Sequence, residues 1–225
     1  MIERLLPARA ESFYRRDLPE PLYVPNLLTF DSESHYRWYG RLAYPLLKLV
    51  GGDLKWSGTH SVTYAGPTQC EEFLLVEYPT HRRLLLLRFN PLYPLANYFR
   101  ETAVEYFEAG FTYSDQHPLS LWEHEHLLIV HATGEDDADV SKEVRELFAE
   151  TTATFAYDTR QVAPFEFHPG PEAGSDPHPL EFDRLVCFGV EDRDQADEVV
   201  SSVTDDLDER LEEYSLQLYE RERRR

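Results

Sequence analysis

Glu72-Phe73-Leu74-Leu75-Val76-Glu77-Tyr78-Pro79-Thr80 is the stretch on which the fold turns. Glu72–Tyr78 has the apolar and aromatic content of a strand, and Thr80, just beyond Pro79, offers a hydroxyl to cap a following helix. Upstream, the turn-rich Gly66-Pro67-Thr68 joins this strand to Lys55–Ala65 as a hairpin. Before the hairpin, Asp31 and Ser32 can cap a helix from about Glu33 to Val50, in which Tyr36, Tyr39, Ala43, Leu46, Leu47 and Val50 recur at helical spacing. Gly51-Gly52 ends that helix, and Pro45 is expected to kink it. Leu22–Phe30 reads as the first strand.

Downstream, Leu84–Leu87 is apolar all round, as a helix buried on a sheet can be, and Asn90-Pro91 interrupts it. A helical Pro94–Arg100 then leads to a closing strand within Thr102–Tyr113. The order is strand, helix, strand, strand, helix, strand, and it recurs. His126–Ala132 is a strand, and 138–150 a helix with Val140, Val144, Leu147 and Phe148 on one stripe, capped by Asp137 or Asp139. Thr152–Pro164 and Leu180–Val190 pair as strands across a Pro/Gly-rich loop, His168 to Pro177. Ala196, Val199, Val200, Val203 and Leu207 then mark a final helix, and Leu211–Tyr219 a final strand.

The expected fold is therefore α+β, with two tandem ferredoxin-like modules (βαββαβ twice) packed sheet to sheet as a pseudo-dimeric α+β barrel. The expected division is an N-terminal arm over 1–20, a first module over 21–117 and a second, strongly acidic module over 118–225.

Charge divides the chain at the same point. The 225 residues carry a formal charge of -20; residues 1–117 hold 14 acids and 12 bases (net -2), and residues 118–225 hold 28 and 10 (net -18). Counterion release cannot drive nucleic-acid binding where cations are so outnumbered. Only Lys48, Lys55 and Lys142 stand among 19 arginines, a balance that fits salt adaptation or, more plainly, a GC-rich genome. Cys70 and Cys187 show no disulfide or CxxC spacing, which points to a reduced cytoplasm. Met1–Pro21 lacks the apolar run of a signal peptide, and no segment has the 18 or more apolar residues of a membrane span.

The segment from Gly51 to Tyr113, through Leu74-Leu75-Val76-Glu77-Tyr78-Pro79 and Asn90-Pro91-Leu92-Tyr93-Pro94-Leu95-Ala96-Asn97-Tyr98-Phe99-Arg100-Glu101, resembles an uncharacterised family of the dimeric α+β barrel superfamily. The resemblance covers little more than a quarter of the chain and carries no known chemistry of its own. The superfamily includes cofactor-free monooxygenases, isomerases and haem proteins of the chlorite dismutase-like group, which also fuse two modules. The haem branch implies an axial histidine on a helix of the second module. His126, His131, His168 and His178 of this chain fall on strand or loop instead, so no cofactor is expected.

No nucleophile elbow, zinc-protease motif, P-loop or dinucleotide fingerprint is present. Trp56, His60 and Tyr64 stand four apart along one strand, hence on one face, a mixture of aromatic and polar groups that suits a pocket wall. Asn97 and Arg100, three apart on a helix, could hold a carboxylate or enolate oxygen, with Tyr78 nearby. The plain alternatives are core packing for the aromatics and His60, and surface pairing of Arg100 with Glu101 or Glu105. His124 and His126 could begin a metal site, but no third ligand lies at a diagnostic spacing. Asp205–Glu213 reads as a solvated helix face.

The expectation is a soluble cytoplasmic protein that binds a small apolar or aromatic molecule, as a cofactor-independent monooxygenase or isomerase. His60 would transfer protons, Arg100 would stabilise negative charge, and Trp56, Tyr64, Tyr78 and Asn97 would hold the substrate. The alternative is a non-catalytic binding or structural protein with a filled barrel. Expected partners are a small molecule and no nucleic acid or membrane, with homo-oligomerisation left open.

Overall fold

The computed structural model describes residues 8–67, 70–116, 118–133, 137–164, 178–179, 182–211 and 213–222. After helix α1 (Ala8–Tyr14), the first half runs β1 (Leu22–Phe30), α2 (Glu33–Leu49), β2 (Asp53–Ala65), β3 (Glu72–Tyr78), α3 (His81–Arg88), α4 (Tyr93–Glu101) and β4 (Val104–Tyr113). A 3₁₀ turn over Pro118–Glu123 leads to the second half: β5 (His126–Thr133), α5 (Asp137–Ala149), β6 (Thr154–Pro164), a two-residue β7 (His178–Pro179), β8 (Arg184–Val190), α6 (Arg193–Arg210) and β9 (Glu213–Arg221). The loop from His168 to Pro177 and the side chains of Asp137 and Asp139 lie outside the described residues.

Local chemistry sets the helix starts. The Ser32 side chain accepts a hydrogen bond from the His35 N–H, Thr80 from Arg83 and Asp192 from Gln195, each satisfying a donor that the first helical turn leaves unpaired. α2 continues as one helix over Pro45, where the missing N–H forgoes a single bond. Gly51 adopts φ 84° just past its end, a conformation that costs glycine little.

Each half pairs its strands antiparallel, in the order β4-β1-β3-β2 in the first and β9-β5-β8-β6 in the second. β2 then pairs with β9, and β4 with β6, so eight strands close into one barrel. Expected from the sequence were two sheets stacked face to face. The bare faces do meet, but as the inner wall of one continuous ring, because joining both pairs of edges also satisfies the backbone groups that stacked sheets would leave open.

Three apolar clusters follow from the alternation of strand side chains. Inside the barrel, Tyr23, Trp56, Phe73, Tyr157 and Tyr219 from both halves meet Leu127, Ile129, Leu185 and Cys187, nearly all fully buried. The first half's outer face packs Leu22, Val24, Leu28, Phe107 and Phe111 against α1 to α4. The second packs Leu128, Val130, Val186, Phe188 and Leu218 against α5 and α6. Among the described residues, no helix is long and apolar enough to cross a membrane.

Candidate functional site

The main cavity, about 1510 Å³, lies between the outer face of the first half's sheet and the helices above it. Its floor is set by strand parity. On β3 the side chains of Glu72, Leu74, Val76 and Tyr78 point outward, next to Ser57 and Thr59 of β2 and Val24 and Asn26 of β1. α2 contributes Tyr36 and Tyr39, α3 contributes Arg88, and α4 contributes Tyr93 and Arg100.

Two guanidiniums dominate this cleft. Asn97 Oδ1 accepts from Arg88 Nη1 at 3.2 Å and from Arg100 Nε at 3.1 Å, while Asn97 Nδ2 donates to Glu101 at 2.5 Å. Arg100 is 7% exposed and lies over the Phe107 ring at 5.2 Å; Arg88 lies over Tyr93 at 5.0 Å. Neither makes an ion pair with a carboxylate among the described residues. Burial, together with Arg100 close by, pulls Arg88 below its ordinary value. Cations held in a low-dielectric site without a counter-charge are costly, and an anion entering the cleft offsets that cost.

Glu72 does not supply the missing charge. It is 8% exposed, and burial, reinforced by Glu222 and Glu33, pushes its carboxyl up to about 8. At neutral pH it is mostly a neutral acid, and the charged groups that act on it are the carboxylates of Glu222 and Glu33. Tyr36, near both Glu72 and Arg100, and Tyr39 and Tyr78 are raised by burial and remain phenols. Around an apolar floor the arrangement offers Arg88 and Arg100, the phenols and the protonated Glu72, and the lining also includes Arg37, Arg41 and Arg221 with the acids Glu33, Glu71, Glu220 and Glu222.

The Glu72 shift has a consequence for stability. The folded carboxyl holds its proton to about pH 8 and the unfolded one only to its ordinary 4.5, so the folded state binds more protons between those values. The contribution is fully present below the lower value and is lost as pH rises through the upper one. The unfolding free energy of the wild type, taken from urea titrations, should therefore fall between pH 5 and 8 by on the order of several kcal/mol, while that of Glu72→Gln stays flatter over that window. Parallel pH profiles for the two proteins would contradict the assignment.

Of the residues singled out from sequence, Tyr78 and Arg100 line the cleft, His60 stands at its margin and Asn97 braces it from behind. His60 Nε2 lies 2.9 Å from Thr63 Oγ1 and its ring sits edge-on to Tyr219; burial lowers it, leaving a neutral imidazole at pH 7. Trp56 and Tyr64 are elsewhere. The β2 register slips at Lys55, Ser61 and Tyr64, and each bulge inserts a residue that reverses the facing of those after it. Trp56 consequently points into the barrel. Tyr64 turns to the second half's helices, where its hydroxyl bonds Asp197 at 2.5 Å.

Sequence reasoning missed Glu72, Arg88, Tyr36, Tyr39 and Tyr93 as members of this site. The alternation Glu72, Leu74, Val76, Tyr78 held a signal: a carboxylate on the same face as three apolar or aromatic positions. His124 and His126 do not converge on a metal. His124 packs over Gly189, where a Cβ would fall 2.0 Å from its ring, and His126 Nδ1 lies 3.0 Å from the Glu191 carbonyl. No group of three or more potential ligands occurs among the described residues.

The matching position in the second half is smaller, about 630 Å³, because Phe148 stacks on Phe188 at 4.0 Å with Phe155 beside them. These residues do not fit a haem: the buried His131 points instead into the barrel and stacks on Phe182 at 4.4 Å.

No family model matches the chain, and no curated protein matches it significantly. Solved structures do. A mutant chlorite dismutase from Candidatus Nitrospira defluvii aligns over 92% of this chain and 93% of its own, with 7% identity and a TM-score of 0.53. A protein named as a candidate monooxygenase from Fusobacterium nucleatum aligns over 91% and 94%, with 10% identity and a TM-score of 0.50. A protein of unknown function from Rhodopseudomonas palustris is 22% identical over 47% of this chain and 92% of its own, with a TM-score of 0.43. At identities of 7% and 10%, the likeness to the first two is one of fold alone, the dimeric α+β barrel.

Proposed function

On that barrel frame, we propose that the first-half cleft binds a small aromatic or apolar molecule bearing an acidic oxygen, and that the protein is a cofactor-independent monooxygenase or isomerase. The observation that carries this reading is the pair of half-buried Arg88 and buried Arg100 over an open, aromatic-lined cavity, without a carboxylate partner among the described residues. A carboxylate, enolate or phenolate oxygen takes the position where both guanidiniums can donate, and the ring lies on the floor of Leu74, Val76 and Tyr78.

Catalysis in this reading is proton transfer. Arg88 and Arg100 stabilise the anion that forms when the substrate loses a proton. His60, neutral at pH 7, is one group that can take it, and Glu72, protonated at pH 7, can return one to another atom of the substrate. A 1,3-proton shift balances in this way without any further reagent. Monooxygenation additionally takes up dioxygen: the stabilised carbanion of a substrate CH2 adds to it and takes a proton to give a hydroperoxide, which loses water to leave a carbonyl, so the substrate itself is oxidised, one oxygen stays on it and the other leaves as water.

The repeated strand order supports two tandem ferredoxin-like modules over 21–117 and 118–225 behind an N-terminal arm, related as the two subunits of a dimeric barrel are. The second reading, a non-catalytic binding or structural protein, draws on the barrel interior, which is packed with Trp56, Phe73, Tyr157 and Tyr219. Native mass spectrometry of the purified protein, followed by turnover assays on any copurifying aromatic acid with His60→Ala and Glu72→Gln, separates the two. Turnover lost in either variant, with the ligand still bound, supports the enzyme. Ligand bound but never converted supports the alternative, and the absence of affinity for any aromatic anion removes the cleft assignment.

A further inference from the structure

All of the large apolar side chains that stand exposed among the described residues lie between Trp38 and Tyr98, on the helical layer of the first half. Leu95 is 58% exposed and Tyr98 60%, on the outward side of α4, whose inward side carries Tyr93, Asn97 and Arg100. Leu92, at 64%, extends this stripe toward Phe89 and Leu86 at the end of α3. Trp38 extends it across to α2, with its ring 6.4 Å from Phe99. A nine-residue helix with leucine and tyrosine turned outward is not the pattern of a solvated surface helix.

We propose that this α2–α4 face is the interface of a closed homodimer, occupied by the same face of a second copy. The eight exposed side chains present roughly 700–800 Å², close to the approximately 800 Å² per partner of a stable interface. Charge selects the occupant. Residues 118–225 carry a net -18, so two copies repel except where their near-neutral first halves meet. Pairing through one self-complementary face keeps the two acidic halves distal, and it ends at two because no second apolar face remains among the described residues.

A bilayer is the weaker occupant. A chain of net charge -20 is repelled by anionic lipid. Of the cations near the patch, Arg37 pairs with Glu33 at 2.6 Å and Lys48 with Asp53 at 2.8 Å, while Arg41 lies over the Trp38 ring at 5.0 Å, within the apolar face itself. The same helices that roof the cleft thus meet the partner, so the dimer braces the roof from outside.

Sedimentation velocity over protein concentrations of about 1–100 µM and a range of KCl concentrations tests the proposal. The wild type should sediment as a dimer, and the dimer fraction should rise with salt as repulsion between the acidic halves is screened. Leu92→Glu with Leu95→Glu should give a monomer with an unchanged circular dichroism spectrum. Should that pair misfold, Tyr98→Glu, a single change at an already exposed position, should weaken association at least tenfold. A monomeric wild type at every concentration, dimers that persist in folded variants, or dimers that dissociate with salt would overturn the proposal. Flotation of the wild type with phosphatidylcholine vesicles would hand the face to lipid and overturn it as well.

Discussion

Arg100→Met is expected to weaken binding of an anionic aromatic probe such as anilinonaphthalene sulfonate by about 10–100-fold while leaving the fold as stable as the wild type or more so. The two effects part because of what Arg100 touches. Its guanidinium meets the Asn97 amide oxygen at 3.1 Å and the Phe107 ring, and no carboxylate among the described residues. A neutral side chain of similar length keeps the contact with Phe107 and removes a buried charge that only a ligand would balance. A guanidinium kept for structure would behave the other way, with stability lost on substitution and probe affinity little changed. Fluorescence titration and thermal melts on the same samples distinguish the two outcomes, and a large drop in melting temperature with unchanged affinity would refute the anion site.

Trp56→Ala is expected to have the largest effect on stability in the molecule, about 3–5 kcal/mol, which for a chain of this size lowers the melting temperature by on the order of 10 °C. Trp56 is fully buried inside the barrel, its ring packs on Phe73 with centroids 6.1 Å apart, and its Nε1 donates to the His124 carbonyl at 3.5 Å. Gly58 makes room for it: a Cβ there would come within 2.2 Å of the indole and 2.7 Å of the Glu220 carbonyl. Because Trp56 faces the barrel and the cleft lies on the sheet's other side, probe affinity measured below the melting transition should remain within about twofold of the wild type. A melting temperature that scarcely moves would mean that this interior is less tightly packed than its burial indicates.

Reading these two residues from sequence succeeded and failed for the same physical reason. Arg100 sits on a helix whose spacing was plain, so its relation to Asn97 three residues earlier could be stated in advance and is present in the structure. Trp56 sits on β2, where facing depends on counting by twos. Each of the bulges at Lys55, Ser61 and Tyr64 changes the count by one, and none carries a glycine or proline that would announce it. The caps at Ser32 and Thr80, the hairpin of β2 and β3, and the apolar stripe of α6 are local features, and they were legible.

Glu72 and Arg88 were harder. A glutamate at a strand start and an arginine at a helix end are ordinary surface choices, and only the tertiary arrangement brings both to the wall of one cavity. A barrel was expected from the repeated order of elements, but not the seams that make it one continuous ring, because the pairing of β2 with β9 and of β4 with β6 joins one half to the other and leaves no local signal.

The two seams of the ring, β2 with β9 and β4 with β6, set a condition on how this chain can change over generations. Neither half is a cassette that can be swapped or dropped, since each would bring two raw borders that only its present companion fits. A change in the twist of one half would have to be answered by the other, so substitutions along the seams are expected to come in matched sets.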